Sequence, residues 1–150
     1  MLWYAHGSYR ESTSIPSSAF SKGDLLMYTS ASSLSRIPTS TASVGALPKG
    51  TVIGIAKASS LESINNQVPY ILAQANTVFW SDITTASQMT AGEGLDVEYT
   101  GATFRVTTSA ISPMLRIDPN GATQDVIGQS STSRAKVRFD PTWTLFGYSN

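Results

Sequence analysis

The chain has 150 residues, of which 41% are apolar and only 13% are charged, and its ten basic and ten acidic residues leave no formal net charge. This length favours one compact domain, and no basic block of the kind that binds nucleic acid is present. The absence of cysteine excludes disulfides, thiolate metal sites and thiol nucleophiles. No apolar run reaches the roughly 18 residues of a membrane-spanning helix. We therefore expect neither nucleic acid nor a membrane as a partner.

The first 19 residues combine aromatic side chains with turn-forming residues. Trp3, Tyr4 and Tyr9 lie among Ser, Gly and Pro, and a segment this short cannot bury its own rings. Two interpretations stay open, a terminal strand on the domain's own core or an arm that docks on a neighbouring subunit. We predict an extended N-terminal arm over residues 1–19, whose removal to residue 15 should leave the rest folded. The main domain then covers residues 20–150, and an alternative division places a sub-boundary near residues 109–113.

From residue 20 onwards, short apolar runs alternate with turn residues. "LLMYTS", "TVIGIAKA", "VPYILAQ" and "TVFWSD" are each typical of a strand, and "GEGLDVEYTGATFRVTT" is typical of a hairpin with its turn at Thr100-Gly101. A second hairpin is expected around Asp118-Pro119-Asn120-Gly121, before a last strand in "RAKVRF". About ten short strands without helical periodicity predict an all-β fold, a compact sandwich or barrel.

The stretch "LPKGTVIGIAKASS" raises the question of a phosphate-binding loop. Such a loop needs the pattern G-x-x-x-x-G-K-[ST] followed by a helix. Here Gly50 and Gly54 are four residues apart, and Ile55 rather than lysine follows the second glycine. The pattern instead predicts a strand that is buried on both faces, with Gly54 at a close backbone approach. We expect the core to contain Val52, Ile53, Ile55, Val68, Ile71 and Leu72.

Few residues have the chemistry of an active site. The single histidine, His6, lies in the predicted arm without nearby partners. Asp96 and Glu98 share one face of a strand and could form a glycosidase-like pair, although that face of an alternating strand is normally solvated. Asp118 and Asn120 could bind calcium, but they lack the further oxygen ligands that calcium needs. We therefore predict no enzymatic activity, no cofactor and no metal site.

The order of these segments resembles that of a known family. "KGD" leading into "LLMYTS", followed by "GTVIGIAKA" and "VPYILAQANTVFW", is similar to the head-decoration (cement) proteins of tailed bacteriophages. The later "GEGLDVEYTGATFRVTT" and "DVIGQSSTSRAKVRF" also look like the C-terminal half of some of these proteins, and the resemblance covers roughly residues 20 to 140. It implies a small β-rich protein without cofactors that binds the outside of a capsid, often as a trimer, across joints between major capsid protein subunits.

The resemblance also implies a place for the surplus aromatic residues. The partners are expected to be the major capsid protein and further copies of the chain, as a homotrimer by resemblance, although the residues alone allow a dimer equally. The chain is expected to be made in the host cytoplasm and to end on the outer capsid surface of the virion. Because protein interfaces are enriched in aromatic side chains, six residues near the chain ends are the candidate interface: Trp3, Tyr4, Tyr9, Trp143, Phe146 and Tyr148.

Two other classes of function stay open. A virion adhesion or fibre module that binds host glycans should show an exposed aromatic platform, for which Trp80 and Trp143 are candidates beside their more common role in cores. A small glycan hydrolase should show paired carboxylates in a cleft, with at least one raised pKa.

Overall fold

The computed structural model describes residues 1–30, 33–83, 92–100, 103–109, 111–118 and 133–145. These ranges contain eleven β-strands and a single 3₁₀ turn, so the all-β prediction is confirmed. Within them, no helix has the length and apolar character needed to cross a bilayer. The strands are β1 Leu2–Gly7, β2 Glu11–Pro16, β3 Leu25–Ser30, β4 Ser33–Arg36, β5 Gly54–Ala56, β6 Val68–Leu72, β7 Thr77–Ile83, β8 Gly94–Thr100, β9 Thr103–Thr108, β10 Leu115–Ile117 and β11 Ser133–Phe139, and the 3₁₀ turn is Ser60–Glu62.

Five of the strands form a small closed barrel in the order β2-β4-β3-β5-β6, with β6 pairing back onto β2. Neighbouring strands are antiparallel except for β2 and β4, which run parallel. Closure satisfies the backbone groups that an open sheet would leave at its edges. The barrel interior is filled by Phe20, Leu26, Leu34, Ile53, Ala56, Val68 and Tyr70.

The other six strands form an antiparallel sheet in the order β1-β7-β11-β10-β8-β9. The predicted hairpin is confirmed as β8 and β9, in which Val97 lies opposite Val106. Leu95, Val97 and Tyr99 are all buried on the inner face of this sheet, as the alternating pattern predicts.

The inner face of the sheet packs on the outside of the barrel, which makes a second and larger core. Strand β3 contributes to both cores, because Leu25 faces the sheet while its neighbour Leu26 faces the barrel interior. In β5, Ile55 likewise belongs to the core against the sheet, whereas its neighbour Ala56 and the preceding Ile53 belong to the core inside the barrel. The predicted burial of this run on both faces is confirmed. Of the six predicted core residues, Leu72 is the one that is only partly buried.

Gly54 lies where two barrel strands come very close together. A Cβ atom at this position would lie 2.4 Å from the carbonyl oxygen of Ile71 and 2.6 Å from a ring carbon of Tyr70. Both distances are far below a normal contact, so the prediction of a close backbone approach is confirmed, and the site accepts no side chain without a shift of β6.

The N-terminal residues do not form an arm. Strand β1 pairs with β7 at the edge of the sheet, and β2 pairs with β6 on one side and β4 on the other. The side chain of Leu2 belongs to the large core. The prediction of an extended arm over residues 1–19 is therefore corrected. The alternative of a terminal strand describes the segment, because the backbones of β1 and β2 complete the sheet and the barrel. Removing residues 1–15 would take away β1 and open the barrel at β2.

This correction predicts different effects for two substitutions on the same strand. Leu2 is 1% exposed, so Leu2→Ala should lower the free energy of unfolding by about 2–5 kcal/mol through lost packing and the cavity left behind. His6 is exposed, so His6→Ala should change it by less than about 0.5 kcal/mol. Urea unfolding followed by circular dichroism measures both values. Equal, small effects would show that the segment behaves as an arm.

Candidate functional site

The structure divides the six predicted interface residues into three groups. Trp3, Tyr4 and Tyr9 lie together, because β1 and the chain that follows it run along the seam between sheet and barrel. Trp143 lies elsewhere, in the core. Phe146 and Tyr148 are outside the described residues.

Trp143 has a structural role. Its side chain is 7% exposed and belongs to the large core, and its Nε1 donates a hydrogen bond of 3.0 Å to the carbonyl of Gly45. Its own carbonyl accepts from the amide of Gly50 at 2.8 Å. The prediction that Trp143 is available for docking is corrected, because a buried indole with a satisfied N–H group offers nothing to a partner. Among residues 141–145, the described part of this segment, Leu145 has an exposed apolar side chain.

The outer face of the six-stranded sheet carries a row of large side chains that we call the Trp face, made of Trp3, Trp80 and Lys136. Trp3 lies directly opposite Trp80 on the neighbouring strand, and Lys136 lies opposite Trp80 on the next. Residues that are directly opposite share a face of the sheet. The ammonium of Lys136 is 5.0 Å from the centre of the Trp80 ring, a cation–π distance. Both indoles stay partly exposed.

The Trp face was only partly visible in the sequence. The sequence predicts Trp3 as an interface residue and Trp80 as a candidate platform for sugars. Lys136 could not be associated with either, because it follows Trp80 by 56 positions and meets it only through the pairing of β7 with β11. The aromatic residues can be recognised in the sequence, whereas the strand register that brings them beside Lys136 cannot.

A second feature is a cavity of about 250 Å³ at the seam, which we call the seam pocket. Its buried lining is apolar, whereas its exposed lining is aromatic and basic. The residues that line it are Leu2, Trp3, Tyr4, Tyr9, Lys22, Ile55, Ala56, Lys57 and Ile71. An apolar floor with a few polar groups at the rim is typical of a site that receives an apolar side chain or small group.

Three polar residues hold one side of the seam pocket. The ammonium of Lys57 lies 2.6 Å from a carboxylate oxygen of Glu11, and the hydroxyl of Tyr9 donates to the same oxygen. The Tyr9 ring packs edge-to-face on Tyr4, with 4.8 Å between ring centres. The hydrogen bonds from Lys57 and Tyr9 lower the pKa of Glu11, and the bond to Glu11 raises the pKa of Lys57. Glu11 therefore fixes both a ring and a charge at the rim.

Asp96 and Glu98 do not act as a pair. Asp96 is 9% exposed and accepts hydrogen bonds of 2.7 Å from the amides of Gly45 and Val97 as well as one from the Ser43 hydroxyl. The expectation of a solvated face is wrong at Asp96, because residues 43–45 fold over it. Glu98 accepts instead from the hydroxyl of Thr100 within its own strand.

The remaining candidates for metal binding or catalysis are isolated. His6 is exposed on β1. Asp118 is 1% exposed, and one of its carboxylate oxygens has no hydrogen-bond partner among the described residues, which do not include Asn120. In the described ranges, no group of three or more acidic or histidine side chains is placed to hold a metal ion.

Comparisons with known proteins assign this chain to no family. Neither the models of known protein families nor the curated protein sequences gave a match. The candidate site is therefore identified from the geometry of the structure. It consists of two contact surfaces, the Trp face and the seam pocket.

The polar network of the seam pocket predicts a measurable titration. The pKa of Glu11 should lie below its usual 4.5, so its ion pair stabilises the fold above that pH and is lost as the pH falls through the lowered value. Lys57→Met should raise this pKa, and Tyr9→Phe should raise it less, since the bond from Lys57 is the larger cause. Carboxyl-carbon NMR titration measures all three values. A Glu11 pKa that Lys57→Met leaves unchanged would contradict the network.

The two carboxylates on β8 should respond differently to neutralisation. Asp96→Asn replaces an acceptor of several bonds by an amide with one acceptor oxygen, and should cost about 1–3 kcal/mol of stability. Glu98→Gln, at a less buried position, should cost less than about 0.5 kcal/mol. Thermal unfolding of the two variants tests this difference. A stable Asp96→Asn variant that lost a hydrolytic activity would instead support a catalytic role.

Proposed function

We propose that this chain is a structural virion protein that binds the outer surface of a phage capsid and stabilises contacts between major capsid protein subunits. The observation that carries the proposal is the Trp face, in which Trp3, Trp80 and Lys136 lie side by side on three neighbouring strands. The arrangement of strands and turns in the sequence, which resembles that of capsid decoration proteins, supports the same role.

The chemistry of the Trp face suits a protein partner. Tryptophan is enriched among the residues that dominate binding energy, and it acts best where its surroundings exclude water. Trp3 and Trp80 are already partly buried against their own sheet, so they lose little rotamer freedom when a partner covers them. Lys136 adds a positive charge beside the rings, which favours a partner surface with an acidic rim.

A structural role also agrees with the use of polar groups in the described chain. Asp96 holds residues 43–45, and Asp140 holds Arg116 at 2.5 Å and the amide of Thr142 at 2.8 Å. These carboxylates stabilise loops and strand ends. We propose a protein that acts by binding alone, without a cofactor, at the outside of the virion after synthesis in the host cytoplasm.

The proposal is tested with undecorated capsids assembled from the major capsid protein of the same genome. Trp80→Ala should weaken binding to these capsids about 30-fold or more, the range of a dominant interface residue. Tyr28→Ala is the matched control, because Tyr28 is an exposed aromatic residue on β3 of the barrel. Co-sedimentation with capsids measures binding, and thermal unfolding confirms that both variants fold. Full binding by Trp80→Ala, or an equal loss in both variants, would contradict the proposal.

A second candidate is a virion adhesion module that binds host glycans, which the same pair of indoles favours because partly exposed tryptophan rings offer flat apolar surfaces to sugar rings. The two functions differ in the ligand that Trp80→Ala affects. Loss of binding to purified host-surface polysaccharide, with capsid decoration unchanged, would select the adhesion module.

A further inference from the structure

A hairpin on the barrel exposes two large aliphatic side chains. Between β5 and β6 the chain makes the 3₁₀ turn Ser60–Glu62 and a bridge that pairs Ile64 with Gln67. Leu61 is 92% exposed and Ile64 is 76% exposed. Single exposed aliphatic residues are common on protein surfaces, but two on one short hairpin form a small apolar projection. We call residues 59–67 the apolar hairpin.

The apolar hairpin is held rigidly at both ends. Ser59 accepts a hydrogen bond from the amide of Leu61 at 3.2 Å, and the amide of Ser60 donates to the carbonyl of Phe20 at 3.1 Å. At the tip, Ile64 and Gln67 exchange two backbone hydrogen bonds of 2.9 and 3.0 Å. The turn between them places two asparagines in the left-handed region, with φ of 54° and 61°, a geometry that asparagine tolerates better than most residues. A loop whose backbone is already held by such hydrogen bonds loses less entropy on binding than an unrestrained loop does.

The seam pocket has the complementary chemistry. Leu2, Ile55 and Ile71 give it an apolar lining, and Lys22 lies at its exposed rim. Lys22 has no ion-pair partner in the part of the chain that the structure describes. Glu62 of the apolar hairpin likewise has none among the described residues, and in the sequence it stands between Leu61 and Ile64. The projection therefore carries apolar groups around a negative charge, and the pocket carries apolar groups beside a positive one.

We propose that the seam pocket of one copy of this chain receives the apolar hairpin of a second copy, with Glu62 placed against Lys22. Within one chain the hairpin does not fill the pocket, because Leu61 and Ile64 stay exposed. Since hairpin and pocket are different patches, two copies can exchange hairpins reciprocally, or several can close a ring. This contact is independent of the capsid, so its test does not depend on the function proposed above.

The first test removes the aliphatic side chains from the apolar hairpin. The double variant Leu61→Ser, Ile64→Ser should fold normally, because both positions are exposed, and its self-association should weaken at least tenfold. The matched control is Ile111→Ser, which removes a side chain that is 94% exposed on another loop. Sedimentation velocity on the full chain over a concentration series measures the association. A wild-type chain that stays monomeric throughout, or equal weakening in the control, would overturn the proposal.

The second test exchanges the two charges. Glu62→Lys and Lys22→Glu should each weaken self-association, because each places like charges at the contact. The double variant Glu62→Lys, Lys22→Glu should restore it, and so should mixing the two single variants. Two results would overturn the proposal: single variants that associate as the wild type does, or a double variant that is weaker than either single variant. The proposal would also be overturned if Trp80→Ala weakened self-association while the charge variants at Glu62 and Lys22 left it unchanged, because the copies would then meet at the Trp face.

Discussion

The start of β3 and residues 53–56 form a wall that is buried on both faces, and the rest of the structure depends on it. Leu26 and Ile53 fill the barrel on one side, while Leu25 and Ile55 meet the sheet on the other. Residues in this position need apolar side chains, and their strands need very close neighbours. Gly54 provides the second condition, because the backbone of Ile71 occupies the space of a side chain there. Because these residues contribute side chains to both cores, the same strands close the barrel and support the sheet that packs on it.

Polar contacts join the barrel to the sheet across the same boundary. The hydroxyl of Tyr99 accepts a hydrogen bond of 3.3 Å from the amide of Leu25, and it lies near the buried carboxylate of Asp24. Burial and the nearby negative charge of Asp24 raise the pKa of Tyr99, so the phenol keeps its proton. The guanidinium of Arg36 lies 6.0 Å from the centre of the same ring. These contacts set the position of β8 relative to β3 in a way that apolar packing alone does not.

The path of the N-terminal chain explains where the contact surfaces lie. Because β1 belongs to the sheet and β2 to the barrel, the residues between them cross the seam. Tyr4 and Tyr9 are thereby placed over the pocket, and Trp3 is placed on the outer face beside Trp80. The Trp face and the apolar hairpin belong to different layers of the molecule. The seam pocket lies closer to the Trp face than the hairpin does, because Trp3 belongs to the Trp face and also lines the pocket.

The sequence by itself determined the all-β fold, the two-sided burial of residues 52–56, the close approach at Gly54 and the β8–β9 hairpin. These features follow from local patterns, since the alternation of side chains and the need for glycine act over a few residues. Only the tertiary structure decided that β1 and β2 complete the two sheets, that Trp143 and Asp96 are structural, and that Trp3, Trp80 and Lys136 share one face. Each of these depends on which distant segment lies opposite, and a shift of one residue in register would turn Trp80 to the other face of the sheet. The residue types are local information, whereas their neighbours are set by packing over the whole chain.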